Sequence, residues 1–201
     1  MGASLKYGPL SARTAHLCVD MQNLFAEETP WHTPWMRRVL PVVTRIAEAH
    51  PERTIFTRFV PPRRAGDMPG NWQRYYERWR ELTLERIDPR LLELVPPLAA
   101  LAPPATVIDK RRYSPFSAPI LRRLLAERGV EALIVTGAET DVCVLAAVLG
   151  AVDRGYRIIL ATDAICSGSD RTHDALMTLY RERFSLQIEA AESAAILAAW
   201  R

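Results

Sequence analysis

Ala132-Leu-Ile-Val-Thr-Gly137-Ala-Glu-Thr-Asp141-Val-Cys143-Val-Leu-Ala-Ala-Val-Leu-Gly150 is the stretch whose reading decides the fold. Its first five residues form an apolar, β-prone run without polar alternation, the pattern of a strand buried on both faces. A glycine ends the run, a short polar turn follows, and from Cys143 to Arg154 apolar positions recur at helical spacing. A buried strand that hands directly to a helix is half of a βαβ unit, and such units build parallel sheets covered by helices.

The same alternation extends in both directions. Upstream, residues 16–20, 53–58 and 105–109 read as strands, and downstream 157–161 and 185–189 do. Helical spacing fills 35–50, 118–128 and 170–184. Residues 71–84 also read as helix, though aromatic and charged, and 191–200 closes the chain as a short helix. The prediction is an α/β fold, a three-layer α/β/α with a six-stranded, mainly parallel, doubly wound Rossmann-like sheet. It forms a single domain over 1–201 with its core at about 14–189. There is no internal repeat or linker. The irregular stretch 61–70 is long enough to wall a site, and 61–84 together form a candidate lid.

Composition narrows the function classes. With 49% hydrophobic and 24% charged residues among 201, disordered, collagen-like and coiled-coil characters are excluded. The longest apolar run, Val142 to Val152, is too short to span a bilayer. Met1 to Arg13 lacks the apolar segment and cleavage site of a secretory signal, so a cytoplasmic location is expected. Cys18, Cys143 and Cys166 are an odd, widely spaced set that makes neither a disulfide framework nor a metal pair. Net charge is +3, but pairs such as Arg63-Arg64 and Arg122-Arg123 are scattered, and Glu77, Glu81 and Glu85 lie among the basic residues. Neither nucleic acid nor membrane is expected as a partner. Of 26 basic residues only Lys6 and Lys110 are lysine, so an interior Lys110 stands out.

In doubly wound sheets ligands sit beyond the carboxyl ends of the strands, beside the point where strand order reverses. Strand one ends at Asp20, strand three at Asp109-Lys110, and strand four at Gly137-Ala-Glu-Thr-Asp141 just before Cys143. Cys143 opens a helix, with Thr140 or Asp141 available as N-cap. The helix dipole there stabilises a thiolate by about 0.3–1 kcal/mol. A nearby Lys110 would lower the thiol pKa further from its usual value of roughly 8.5. Position alone leaves Cys143 equally open to being a small buried helix residue. Asp20 is open to capping the next turn through an Asx bond or to taking the thiol proton as a general base.

Taken together, these residues resemble the isochorismatase-like cysteine hydrolases, the group that includes nicotinamidases and N-carbamoylsarcosine amidases. The resemblance rests on Cys18-Val-Asp20-Met-Gln-Asn-Leu-Phe25, Asp109-Lys110-Arg-Arg-Tyr113-Ser-Pro-Phe116, Val135-Thr-Gly137-Ala-Glu-Thr-Asp141-Val-Cys143-Val144 and Gly155-Tyr-Arg-Ile-Ile-Leu-Ala-Thr-Asp163-Ala164. It covers about Thr14 to Glu189. It implies the isochorismatase-like hydrolase fold and a catalytic triad of Asp20, Lys110 and Cys143. It also implies a cis peptide at Ala138–Glu139, an oxyanion hole made by the backbone N–H groups of Glu139 and Cys143, and a Phe25 that packs on the substrate. Tyr113 and Phe116 are expected to line the pocket, and Arg58 to meet a substrate carboxylate. Trp72, with Tyr75, Tyr76 and Trp79, lies on the lid, where a pocket wall and a subunit contact are equally open.

The expected activity is hydrolysis of the C–N bond of a small amide, carbamoyl or ureide substrate through a Cys thioester, releasing ammonia or an amine. Isochorismatases proper cleave a vinyl ether without a cysteine nucleophile, which Cys143 argues against. Nicotinamidases carry an Asp-x-His metal site near the end of strand two, where this chain reads Phe56-Thr-Arg58-Phe59-Val-Pro. His16, His32, His50 and His173 are not paired at ligand spacing, so no metal and no cofactor are expected. The alternative is a non-catalytic binding or interaction protein of the same fold. A nucleotide-binding domain is excluded because the first strand-to-helix turn carries no GxGxxG. Relatives form dimers and tetramers, so a homodimer or homotetramer is expected.

Overall fold

A computed structural model describes residues 4–201. Six strands form one sheet: β1 (Thr14–Val19), β2 (Thr54–Phe59), β3 (Thr106–Lys110), β4 (Ala132–Ala138), β5 (Arg157–Cys166) and β6 (Ile188–Ala191). Their order is β3-β2-β1-β4-β5-β6, and every pairing is parallel. The chain winds outward from β1 to β3, returns to the centre at β4, and winds outward the other way. Strand order therefore reverses between β1 and β4, and a crevice opens beyond their carboxyl ends.

Period-two alternation assigns the strand residues to two layers. Leu17, Val19, Leu133 and Val135 face α5 (Pro119–Glu127), α6 (Cys143–Val152) and α7 (Asp170–Glu182). Cys18, Phe56, Ile134 and Ile159 face α2 (Met36–Ala49) and α8 (Ser193–Ala199). Helix α2 turns Met36, Val39, Val43 and Ile46 to the sheet, one stripe at helical spacing. Burying each such side chain stabilises by roughly 1.5–3 kcal/mol. Two four-residue helices, α1 (Asn23–Ala26) and α4 (Pro96–Ala99), and the eight-residue α3 (Asn71–Arg78) complete the set. No helix among the described residues is long and apolar enough to cross a membrane.

The structure departs from the sequence expectations in three elements, the first being β6, which was expected at 185–189 and lies at Ile188–Ala191. Strand β5 runs to Cys166 rather than ending at 161, because after a register shift it continues alongside Gly137 and Ala138. Polar Thr162 and Asp163 mask that continuation in sequence. The Asp163 carboxylate accepts hydrogen bonds from the Ser193 backbone and hydroxyl at 2.8 and 2.6 Å, so its charge is matched inside the fold. The expected helix over 71–84 is instead α3 followed by a 3-10 turn at Arg80–Leu82.

Gly137 holds the centre of the sheet. Its φ is +109°, and a Cβ there would fall 2.1 Å from the Val19 carbonyl oxygen. Only glycine allows β1 and β4 to close at this point, and that closure sets the distance between the residues that follow each strand.

Candidate active site

Asp20 follows β1 directly and sits in the left-handed region at φ +51°. Such a conformation is costly for a residue with a Cβ, although Asp tolerates it better than most, and here neighbours hold it in place. The Asp20 N–H donates to the Thr57 carbonyl at 3.2 Å and the Thr57 hydroxyl oxygen at 3.1 Å. The Thr57 hydroxyl in turn donates to Asp20 Oδ1 at 2.5 Å. Two residues on, the buried Gln22 ties this turn to β2: its amide donates to the Phe59 and Leu92 carbonyls, and its Oε1 accepts from the Phe59 N–H at 2.7 Å. Neither Thr57 nor Gln22 is a residue that sequence reasoning singled out. The only signal was the position of Thr57 on β2, on the side facing the end of β1.

Lys110, the last residue of β3, reaches across β2 to the crevice. Its ammonium lies 2.7 Å from Asp20 Oδ2, 3.4 Å from Cys143 Sγ and 3.1 Å from the Arg112 carbonyl oxygen, so its three protons have three partners. The Phe59 ring lies 4.9 Å from it. The side chains of Lys110 and Asp20 are fully buried, and Oδ2 has no other partner than the ammonium. Burial alone would lower the Lys110 pKa, but the Asp20 carboxylate and the Cys143 sulfur outweigh it and raise the pKa above its ordinary value.

Cys143 is the first residue of α6, as expected, but its environment differs from the expectation in two ways. Thr140 and Asp141 do not cap the helix. The Thr140 hydroxyl pairs with His173 Nδ1 at 2.9 Å, Asp141 accepts from the Ser167 hydroxyl at 2.5 Å, and the N-cap residue is Val142 without a side-chain bond. The thiol pKa is raised well above its ordinary value, not lowered. Burial is the main cause and the Asp20 carboxylate adds to it, while Lys110 opposes both. Burial thus works against a thiolate at this position, and the Lys110 ammonium works for it. The Ala138–Glu139 peptide is cis, and the Glu139 and Cys143 N–H groups donate to no acceptor among the described residues.

The remaining expected residues divide into two groups. Tyr113 and Trp72 lie together with ring centroids 4.8 Å apart, and Tyr113 is close enough to Cys143 for the sulfur to help raise its pKa, after burial as the main cause. Phe25 stacks on Trp31 at 6.3 Å, and Trp31 also contacts Phe59, Tyr75, Tyr76 and Trp79. Trp31 is thus the hub of an aromatic wall beside the Lys110–Asp20 pair, and no motif pointed to it. The stretch 71–79 belongs to this wall. Arg58, by contrast, forms a two-pronged pair with Asp109 at 2.8 and 3.2 Å and binds Glu93 at 2.7 Å. Its neighbour Phe59 faces Lys110, so alternation turns Arg58 to the other side of the sheet. Phe116 packs against Gly150 and Tyr156 and stacks under Arg154, two turns along α6 from Cys143. The structure brings neither Arg58 nor Phe116 to the Cys143 sulfur.

The Glu139 carboxylate accepts from the Gly168 N–H at 3.1 Å, and burial, with Asp141 and Asp20 nearby, raises its pKa. Cys18 is buried in the core with its thiol pushed up to about 12 by burial, and Cys166 is likewise buried and raised. Among the described residues no group of three or more His, Cys, Asp or Glu could hold a metal ion.

Comparison with known proteins matches this chain to a family. The chain is 29% identical to a probable inactive nicotinamidase of Arabidopsis thaliana over 81% of this chain and 85% of that protein. It is 28% identical to an N-carbamoylsarcosine amidase of an Arthrobacter species over 76% of this chain and 59% of that protein. Among solved structures, a cysteine hydrolase from Pseudomonas syringae pv. phaseolicola superposes with a TM-score of 0.80 at 23% identity, covering 99% of this chain and 98% of that one. A nicotinamidase/pyrazinamidase from Bacillus subtilis gives 0.70 at 22% identity over 87% and 98%. The Isochorismatase domain model matches residues 14–192, and this chain therefore belongs to the isochorismatase family.

Proposed function

We propose that this chain hydrolyses the C–N bond of a small amide, carbamoyl or ureide substrate through a thioester on Cys143. The observation that carries the reading is the buried Lys110 ammonium 2.7 Å from the Asp20 carboxylate and 3.4 Å from the Cys143 sulfur. A carboxylate and a sulfur that share one ammonium suit general-base activation at the moment of attack. Asp20 takes the Cys143 proton as the sulfur bonds to the substrate carbonyl carbon. The carbonyl electron pair moves to oxygen, where the Glu139 and Cys143 N–H groups donate to it. Loss of one such donor typically costs on the order of 10²–10³ in rate. The oxyanion re-forms the carbonyl, the C–N bond breaks, and Asp20 returns its proton to the departing nitrogen. Water then attacks the thioester while Asp20 takes its proton, and the proton passes to the departing sulfur. Lys110 holds Asp20 in place and balances its charge throughout. Phe25, Trp72 and Tyr113 wall the acyl side.

An ammonia-release screen over small primary amides and ureas, with chelator present, tests this reading. Turnover of at least one compound is expected, with a covalent adduct on Cys143 visible by mass spectrometry. Cys143→Ala, Asp20→Asn and Lys110→Ala should each remove at least a thousandfold of kcat/KM and combine non-additively. The non-catalytic alternative draws support from the Arabidopsis relative named as inactive. Absence of both turnover and adduct across the panel would decide for it.

A further inference from the structure

The wall beside Cys143 carries polar atoms that the proposed hydrolysis does not use. Tyr76, on α3, is fully buried, and its hydroxyl has no hydrogen-bond partner among the described residues. Burial is the main cause of its raised pKa, and the remaining influences are Tyr113, Arg112 and the Cys143 sulfur, which places the hydroxyl within their electrostatic reach. Trp31, whose ring lies 6.4 Å from that of Tyr76, likewise buries an indole N–H without a partner. Arg112 is half-buried beside them. Its guanidinium lies 5.3 Å from the Trp72 ring and bonds the Arg111 carbonyl at 3.0 Å and Met68 Sδ at 3.4 Å, but no carboxylate. Buried donors without partners are rare in folded proteins, and two in one aromatic cluster next to a nucleophile call for an acceptor from outside the chain.

We propose that Tyr76, supported by Trp31 and Arg112, recognises a carboxylate at the end of the substrate remote from the scissile C–N bond. The inference rests on the hydrolase reading above and adds its substrate class: amides or ureides that bear an acid. Each group in the cluster offers a proton, and Arg112 adds the positive charge that a neutral acceptor would not need. The Glu139 carboxylate is already engaged, accepting a hydrogen bond from the Gly168 N–H. A site built to hydrogen-bond one substrate group rejects the analogue that lacks it, because the site's own polar atoms are then left unpaired.

Matched probes test this. N-carbamoylglycine is compared with n-propylurea, and succinamate with butyramide. The wild type should favour each acid over its neutral partner by at least a hundredfold in kcat/KM. Tyr76→Phe and Arg112→Met should each shrink that preference by ten- to a hundredfold, mainly through KM. Equal turnover of acid and neutral probes, or an unchanged preference in both variants, would overturn the proposal while leaving the hydrolase reading intact. A second measurement is independent of turnover: Cys143→Ala protein is titrated calorimetrically with N-carbamoylglycine and succinamate. Binding of at least one acid is expected, weakened at least tenfold by Tyr76→Phe, and binding of neither acid would reject the proposal even if no probe were hydrolysed. Thermal melting separates a structural hydroxyl from a recognition hydroxyl. The free Tyr76→Phe protein should melt no lower than wild type, whereas a drop of several degrees would mean that the hydroxyl serves the fold.

Discussion

Lys110 and Asp20 illustrate how stability and chemistry separate at single residues. Their side chains are wholly removed from water, so each charge depends on the other. Removing one partner leaves a buried charge without compensation, which typically costs about 3–5 kcal/mol. Replacing both with uncharged side chains of similar size removes the penalty along with the attraction. Lys110→Met and Asp20→Asn are therefore each expected to lower unfolding free energy in urea by roughly that amount. The double variant should recover most of the loss while remaining inactive. Additive losses in the double variant would mean that the pair is not electrostatically coupled. Legibility at this scale was uneven. Asp20, Lys110 and Cys143 could be found because each ends a strand or opens a helix, where the topology requires a site. The direction of the thiol pKa could not, because burial, which dominates it, comes from tertiary packing rather than from the helix position. Thr57, Gln22 and Trp31 were equally hidden, since their roles exist only once distant segments meet.

At the scale of elements, strands betray themselves where they are apolar throughout and vanish where a polar residue is matched by tertiary contacts. All six strands left a signal in their runs, β6 one displaced by three residues at its start, and β1, buried at every position, was the plainest. The end of β5 was not plain, because Thr162 and Asp163 break the apolar run, and only the start of α8 supplies partners for Asp163. Arg58 misled for a related reason: a strand-end cation looks available in sequence, yet its register partner Asp109 already occupies it. The β1–β4 closure makes the strongest element-level prediction. A Cβ at position 137 would meet the Val19 oxygen at 2.1 Å and would demand a φ that side chains rarely adopt. Both strands are central, so neither can move aside without opening the sheet. Gly137→Ala should cost about 4 kcal/mol or more, in the range reserved for backbone conflict in a core. It should also abolish activity in whatever protein folds, since Val19 and Gly137 set the spacing of Asp20 and Cys143. A soluble Gly137→Ala protein with an unchanged urea midpoint would show that the strands separate more easily than their packing implies.

Across the whole molecule, one buried histidine couples the sheet to acidity. His16 lies on β1 at the centre of the fold, with Nδ1 3.3 Å from the Thr54 hydroxyl on β2 and Nε2 2.7 Å from the Thr136 hydroxyl on β4. It joins the three strands whose ends form the crevice, yet no charged group faces it there. Burial without a counter-charge lowers its pKa from 6.5 to about 3. An unfolded chain takes up a proton at this histidine below pH 6.5, whereas the folded chain does not until about pH 3. Protons therefore favour the unfolded state over that window, and stability falls as pH falls through it. The slope attributable to this residue is about 1.4 kcal/mol per pH unit, enough over two units to remove a sizeable part of an ordinary domain's stability. His16→Gln keeps a polar side chain between the two hydroxyls but cannot titrate. Its urea midpoint should lie below wild type at pH 7, and the gap should narrow steadily as pH is lowered from 6.5 toward 4. Carboxylates contribute equally to both proteins and cancel in the comparison. A gap that stayed constant across that range would mean that His16 accepts its proton inside the folded sheet, and that the core of this fold is wetter than its packing suggests.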